Sequence, residues 1–101
     1  MSAIRRKEPP VFTIISYDIV SDKRRTKVMK LLKGYGTRVQ YSVFECTLDG
    51  PRFAALGRKL LDLIDVNTDS VRCYRLDTAA VQRITIHGIG RVTTEPTHYW
   101  V

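Results

Sequence analysis

The chemistry in this chain gathers around one carboxylate. Asp18 closes the apolar run from Val11 to Tyr17, and Lys23, Arg24, Arg25, Lys27, Lys30 and Lys33 follow it in quick succession. A carboxylate at the end of a strand suits a metal ion or catalysis, and lysines and arginines crowded beside it match the charge of a phosphate backbone. The combination points to a small domain that handles nucleic acid. Plainer readings compete. Asp18 can be a helix-capping acid, although Ser21 and Asp22 follow it as better caps. The four lysines can be a solvated helix surface, but a face built for solubility alone mixes signs, and no acid interrupts the run from Lys23 to Lys33.

The other metal-type residues are poor candidates. His87 and His98 have no ligand partners at metal spacing, and Cys46 and Cys73 stand far apart without a second cysteine near either. Both cysteines read as buried small hydrophobes.

Charge supports an anionic partner. Seventeen Lys plus Arg stand against ten Asp plus Glu, a formal net charge of +7, and nucleic acid leads anionic lipid as the match. The 101 residues make one domain. At this size folding buries only about 60 to 65 per cent of the unfolded surface, so dimerisation would help. No apolar run reaches the roughly 18 residues of a membrane span, and Met1 to Pro10 lacks the apolar segment of a signal peptide. The expectation is a cytoplasmic protein with no membrane partner.

Three segments follow from the pattern. Residues 1–10 are charged, end in a proline pair and read as a flexible basic arm, with Arg5, Arg6 and Lys7 either solvated or touching phosphate. Residues 11–90 form the folded domain, and 91–101 a C-terminal tail ending in Tyr99, Trp100 and Val101. Within the domain, Val11 to Ile19 reads as a central strand. Val28, Leu31, Leu32 and Tyr35 then make the apolar face of a helix whose lysines point the other way, stopped by Gly34 and Gly36. Thr37 to Asp49 is strand-like, but its apolar parity flips, which demands a reversal near Gln40 to Ser42 or a bulge there. Pro51 suits the first turn of a second helix with Phe53, Leu56, Leu60, Leu63 and Ile64 inward. Val71 to Leu76 and Val81 to His87 read as two more strands.

This order is the split repeat of an α+β, ferredoxin-like βαββαβ sandwich with an additional C-terminal strand. In that topology Cys46 and Cys73 flank the first strand about 10 Å apart. That exceeds the ~7 Å reach of a disulfide, so free thiols are expected. Phe12, Phe44 and Phe53 read as core.

Ser16-Tyr17-Asp18-Ile19 at a first strand's end, Asp22 to Val28 opening a basic helix, and Arg38-Val39-Gln40-Tyr41-Ser42-Val43-Phe44-Glu45 together resemble the CRISPR-associated Cas-two family over residues 11 to 87. The resemblance implies a homodimer in which the last strand of each subunit extends or covers the partner's sheet. It implies a role in spacer acquisition, with the dimer bridging the Cas-one integrase and holding protospacer DNA duplex. It also implies Mg2+-dependent, or Mn2+-dependent, endonuclease activity on single-stranded RNA or duplex DNA. Position by position, Asp18 matches the metal-binding catalytic aspartate, Arg25 and Arg38 match basic residues tied to cleavage, and Phe44 matches an aromatic of the same set. Lys27 stands where some members carry arginine, which weakens a bidentate phosphate grip there.

One aspartate is a poor Mg2+ site, so Asp18 predicts symmetry: two subunits offer one carboxylate each to a shared ion. Such an ion would activate a water while Arg25 and Arg38 hold the strand. Lys23, Arg25, Lys27, Lys30, Lys33 and Arg38 are the expected nucleic-acid contacts. Two other readings remain, a free-standing toxin-like endoribonuclease and a non-catalytic RNA-binding sheet. The latter lacks the glycine-and-aromatic signature within Tyr41 to Asp49.

Overall fold

The computed structural model describes residues 9–93. Arg5, Arg6 and Lys7 of the arm, and His98, Tyr99, Trp100 and Val101 of the tail, lie outside them. The elements run β1 (Val11–Asp18), α1 (Asp22–Lys33), β2 (Gly36–Gln40), β3 (Val43–Leu48), α2 (Gly50–Leu63), β4 (Ser70–Leu76) and a short α3 (Thr78–Gln82). Four strands pair antiparallel in the order β2-β3-β1-β4. This is the ferredoxin-like α+β arrangement, with β1 in the sheet interior.

Each helix begins where the sequence supplies a cap. Ser21 Oγ accepts the amide of Arg24 at 3.2 Å, and Asp49 Oδ1 accepts that of Arg52 at 2.9 Å, satisfying first-turn donors that have no partner inside the helix. One face of the sheet then packs on the helices. Ile15 and Tyr17 of β1 and Phe44, Cys46 and Leu48 of β3 meet Val28 and Leu32 of α1 and Leu56 and Leu60 of α2. Burying each aliphatic or aromatic side chain is worth about 1.5–3 kcal/mol. Because strand side chains alternate, Ile14, Ser16, Asp18 and Glu45 are left on the opposite face.

The parity flip between β2 and β3 has both expected causes at once. The chain reverses at Tyr41 and Ser42, and the register shifts between Arg38 and Gln40. Gly36 fixes how closely these strands approach. A Cβ there would meet the Glu45 carbonyl oxygen, Cys46 Sγ at 2.5 Å and Cys46 Cα at 2.9 Å. Gly36→Ala is therefore expected to lower unfolding free energy by about 2 kcal/mol, read from the urea midpoint; an unshifted midpoint would show that the strand pair can spread without cost.

Three expectations change. Val81 to His87 is not a strand: Asp77 Oδ1 accepts the Ala80 amide at 2.8 Å and starts α3 instead. The additional C-terminal strand is thus not formed among the described residues. The outer edge of β4 is free, but the chain leaves it through α3 and then bends at Gly88 and Gly90, both at positive φ. It comes to Glu45, whose Oε1 accepts the Thr93 amide at 2.8 Å. The stop of α1 also differs, since Gly34 is right-handed at φ −78°. Finally, both cysteines are free, but only Cys46 is buried; Cys73 sits exposed on the edge strand β4. Burial pushes the Cys46 thiol up to about 11, which keeps it protonated and unreactive at neutral pH.

Candidate nucleic-acid and metal site

Asp18 is the last residue of β1, paired across the ladder with Ser70 of β4. The strand's alternation turns Tyr17 into the core and Asp18 out to solvent. Its carboxylate makes no hydrogen bond or ion pair among the described residues. It borders two shallow clefts, one of about 260 Å³ shared with Arg25, Tyr41 and Ser42, the other of about 220 Å³ shared with Ser16, Arg72 and Tyr74. An acid left without a partner amid arginines is poised to take a cation or to be screened by one. It does not cap α1, because Ser21 does.

Arg25 and Arg38 come together at the neighbouring cleft of about 290 Å³, where both meet Tyr17 and Tyr41. Neither guanidinium is loose. Arg25 pairs with Asp22 on its own helix and donates through Nη2 to the carbonyl of Ile19 at 2.8 Å and of Val20 at 3.3 Å. Arg38 donates through Nε and Nη2 to the Tyr41 carbonyl at 3.1 and 2.7 Å. Each arginine holds its own loop in place and keeps its remaining donors for an anion. Burial raises the Tyr17 hydroxyl above its ordinary pKa despite the nearby Arg38 and Arg25, so it stays a neutral donor, within 3.4 Å of the same Tyr41 oxygen.

Lys23, Lys27, Lys30 and Lys33 are all exposed on α1. None of them lines the clefts around Asp18. They form a separate cationic strip, while Arg25, half-buried on the same helix, faces the strand-end acid. Phe44, matched by resemblance to a functional aromatic, is instead fully buried with its ring centroid 6.4 Å from that of Tyr17. It supports the site from below and touches nothing that binds there.

The sequence reading missed the group that fixes the β1–α1 loop. Asp69, with its side chain wholly buried, accepts from Arg24 Nε at 2.8 Å, from the Val20 amide at 3.0 Å and from the Asp65 amide at 2.9 Å. The Arg24 guanidinium, then the two amides, hold its carboxyl well below the usual carboxylate range. Arg72 and Tyr74 were missed too. Strand parity would have found them, because Arg72 lies opposite Ser16 and shares its face with Asp18.

No group of three or more His, Cys, Asp or Glu that could hold a metal ion occurs among the described residues. Asp18 does fit one kind of ion. Mg2+ binds through one or two carboxylates and keeps several waters, and an exposed carboxylate that is in no ion pair among the described residues offers it that first contact.

A ferredoxin-like sheet whose central strand ends in an unpaired acid, flanked by arginines held on loop carbonyls, defines the kind of protein this is. The family model for CRISPR associated protein Cas2 matches residues 11–84. The chain is 63% identical over 91 residues to a CRISPR-associated endoribonuclease Cas2 of Chloroflexus aurantiacus, covering 90% of this chain and 98% of that one. Cas2 of Streptococcus pyogenes superposes with a TM-score of 0.68 at 35% identity, over 76% of this chain and 99% of that one. A chain of a partial Cas6-RT-Cas1–Cas2 complex superposes with a TM-score of 0.66 at 32% identity, over 75% and 89%. The chain belongs to the Cas2 family.

Proposed function

We propose that this protein is a CRISPR adaptation protein. In this reading its homodimer holds protospacer DNA together with a Cas1 integrase, and it carries Mg2+-dependent endonuclease activity centred on Asp18. One observation carries the reading: among the described residues, Asp18 at the end of β1 is charged, exposed and unpartnered, and it shares one cleft with Arg25 and another with Arg72. The Cas1–Cas2 complex among the similar structures supports the partner, and the endoribonuclease name of the Chloroflexus relative supports cleavage of RNA.

Each residue has a distinct task. Asp18 would hold Mg2+, or Mn2+ with the same oxygen donor, and the Asp18 of a second copy would supply the other carboxylate. When bound, the ion supplies charge neutralisation at the scissile phosphate and an activated water. Arg25 and Arg38 orient the strand by donating to phosphate oxygens from forks already fixed on loop carbonyls. Lys23, Lys27, Lys30 and Lys33 attract the polynucleotide without reading its sequence.

The scaffold role is tested with the full chain, a Cas1 integrase and a DNA duplex on a sizing column. Co-elution of all three is expected. Reversing Lys23, Lys27 and Lys30 to Glu should flatten the dependence of duplex affinity on salt by about one unit of slope per lost contact. An unaltered slope would remove α1 from the contact surface.

A further inference from the structure

The turn between β2 and β3 holds an aromatic ring that the chemistry above leaves unused. Tyr41 is 70% exposed, yet its surroundings fix it. Its carbonyl oxygen accepts from Arg38 Nε and Nη2 and from the Tyr17 hydroxyl, so the turn is pinned from both sides. The Arg38 guanidinium lies 5.1 Å from the ring centroid, a cation–π contact that backs the ring from one side. The same ring borders the cleft that contains Asp18 and Arg25. A held, solvent-facing aromatic backed by a cation and set beside phosphate-binding groups is a surface on which an unstacked base settles.

We propose that Tyr41 is a stacking platform for one unpaired nucleobase, on a single strand whose phosphate lies at Arg25 and Arg38, which share a cleft with it. This rests on the nucleic-acid reading above and adds the residue that takes a free base. Bases in a duplex stack on one another and offer Tyr41 no free face unless they unpair, which costs a few kcal/mol. Stacking ignores the sugar, so single-stranded RNA and DNA are both accepted; the selection is against the double strand.

The test uses the full chain in EDTA, so that nothing is cleaved. The probes are an RNA and a DNA single strand of one sequence, each with a 2-aminopurine, and a blunt duplex. Tyr41→Ala should bind both single strands about tenfold more weakly, lose the change in 2-aminopurine emission seen with the parent, and bind the duplex unchanged. Tyr41→Phe should restore both signals, since it keeps the ring. The turn is anchored through a backbone oxygen, so Tyr41→Ala retains those hydrogen bonds. Parent-like single-strand binding by Tyr41→Ala would overturn the platform and leave the nucleic-acid reading standing. An equal loss on duplex and single strands would also overturn it, because the residue would then act without regard to free bases. Failure of the parent to bind any of the three probes would remove the underlying reading and the platform with it.

Discussion

Asp18→Ala is expected to reduce Mg2+-dependent cleavage by about a thousand-fold while leaving the fold untouched. The magnitude follows from the several kcal/mol of charge stabilisation that a bound cation contributes at a reacting phosphate. The intact fold follows from the geometry: the carboxylate is exposed, caps nothing and pairs with nothing among the described residues. Its removal should leave the melting temperature within experimental error. The same substitution removes a negative charge from a cationic surface, so in EDTA the variant should bind polynucleotide as tightly as the parent or more tightly. Loss of cleavage with retained binding is a split that a general structural defect would not produce. A variant that cleaves at the parental rate in Mg2+, or a parent that cleaves equally in EDTA, would remove the metal from the mechanism.

Much of this arrangement was legible in the residue types. The β-branched and aromatic run before Asp18, the cap at Ser21, Pro51 in the first turn of α2, and the 3.6-residue spacing of Val28 with Leu32 and of Leu56 with Leu60 each favour one element, so β1, α1 and α2 stand where the pattern puts them. Val81 to His87 misled because alternation in Ile84 and Ile86 states only that a strand would be acceptable. The outer edge of β4 is open, but the Asp77 cap turns the chain into helix directly after it, so these residues are not carried back along that edge. Cys73 misled for a related reason: its parity is that of the core face, but β4 is the outer strand of the sheet.

The site was half legible. Asp18, Arg25 and Arg38 were singled out as residue types; the fold brings Arg25 and Arg38 to one cleft and Arg25 and Asp18 to another, with Tyr41 lining both. The lysines were grouped with them by closeness in sequence, yet the helix turns them away from the acid. Asp69 was invisible because Arg24 and the Val20 amide are distant in sequence and its near partner, the Asp65 amide, is a backbone group that no composition or spacing can signal.

That invisible residue carries the largest stability effect. Asp69 joins the loop after β1 to the start of β4: it binds Val20, two residues beyond Asp18, and stands next to Ser70, the ladder partner of Asp18. Asp69→Asn keeps the shape but loses the charge and one acceptor, leaving the Arg24 guanidinium and one buried amide without a proper partner. The melting temperature should fall by roughly 10 °C at pH 7. The pH dependence has a definite sign. The folded carboxyl is held below its unfolded value of about 3.9, so its contribution is complete above that pH. It is lost as the solution is acidified toward the folded value, where the unfolded chain binds the proton first. The gap between parent and variant should therefore be constant from pH 7 to pH 5 and narrow below about pH 4. Calorimetric scans across that range decide it, and a gap that stays fixed or widens on acidification would show that the Arg24–Asp69 pair does not hold the loop. Because the tethered loop leads directly from Asp18, the same variant should also lose cleavage at temperatures well below its own melting point, a loss that Mg2+ in excess does not restore.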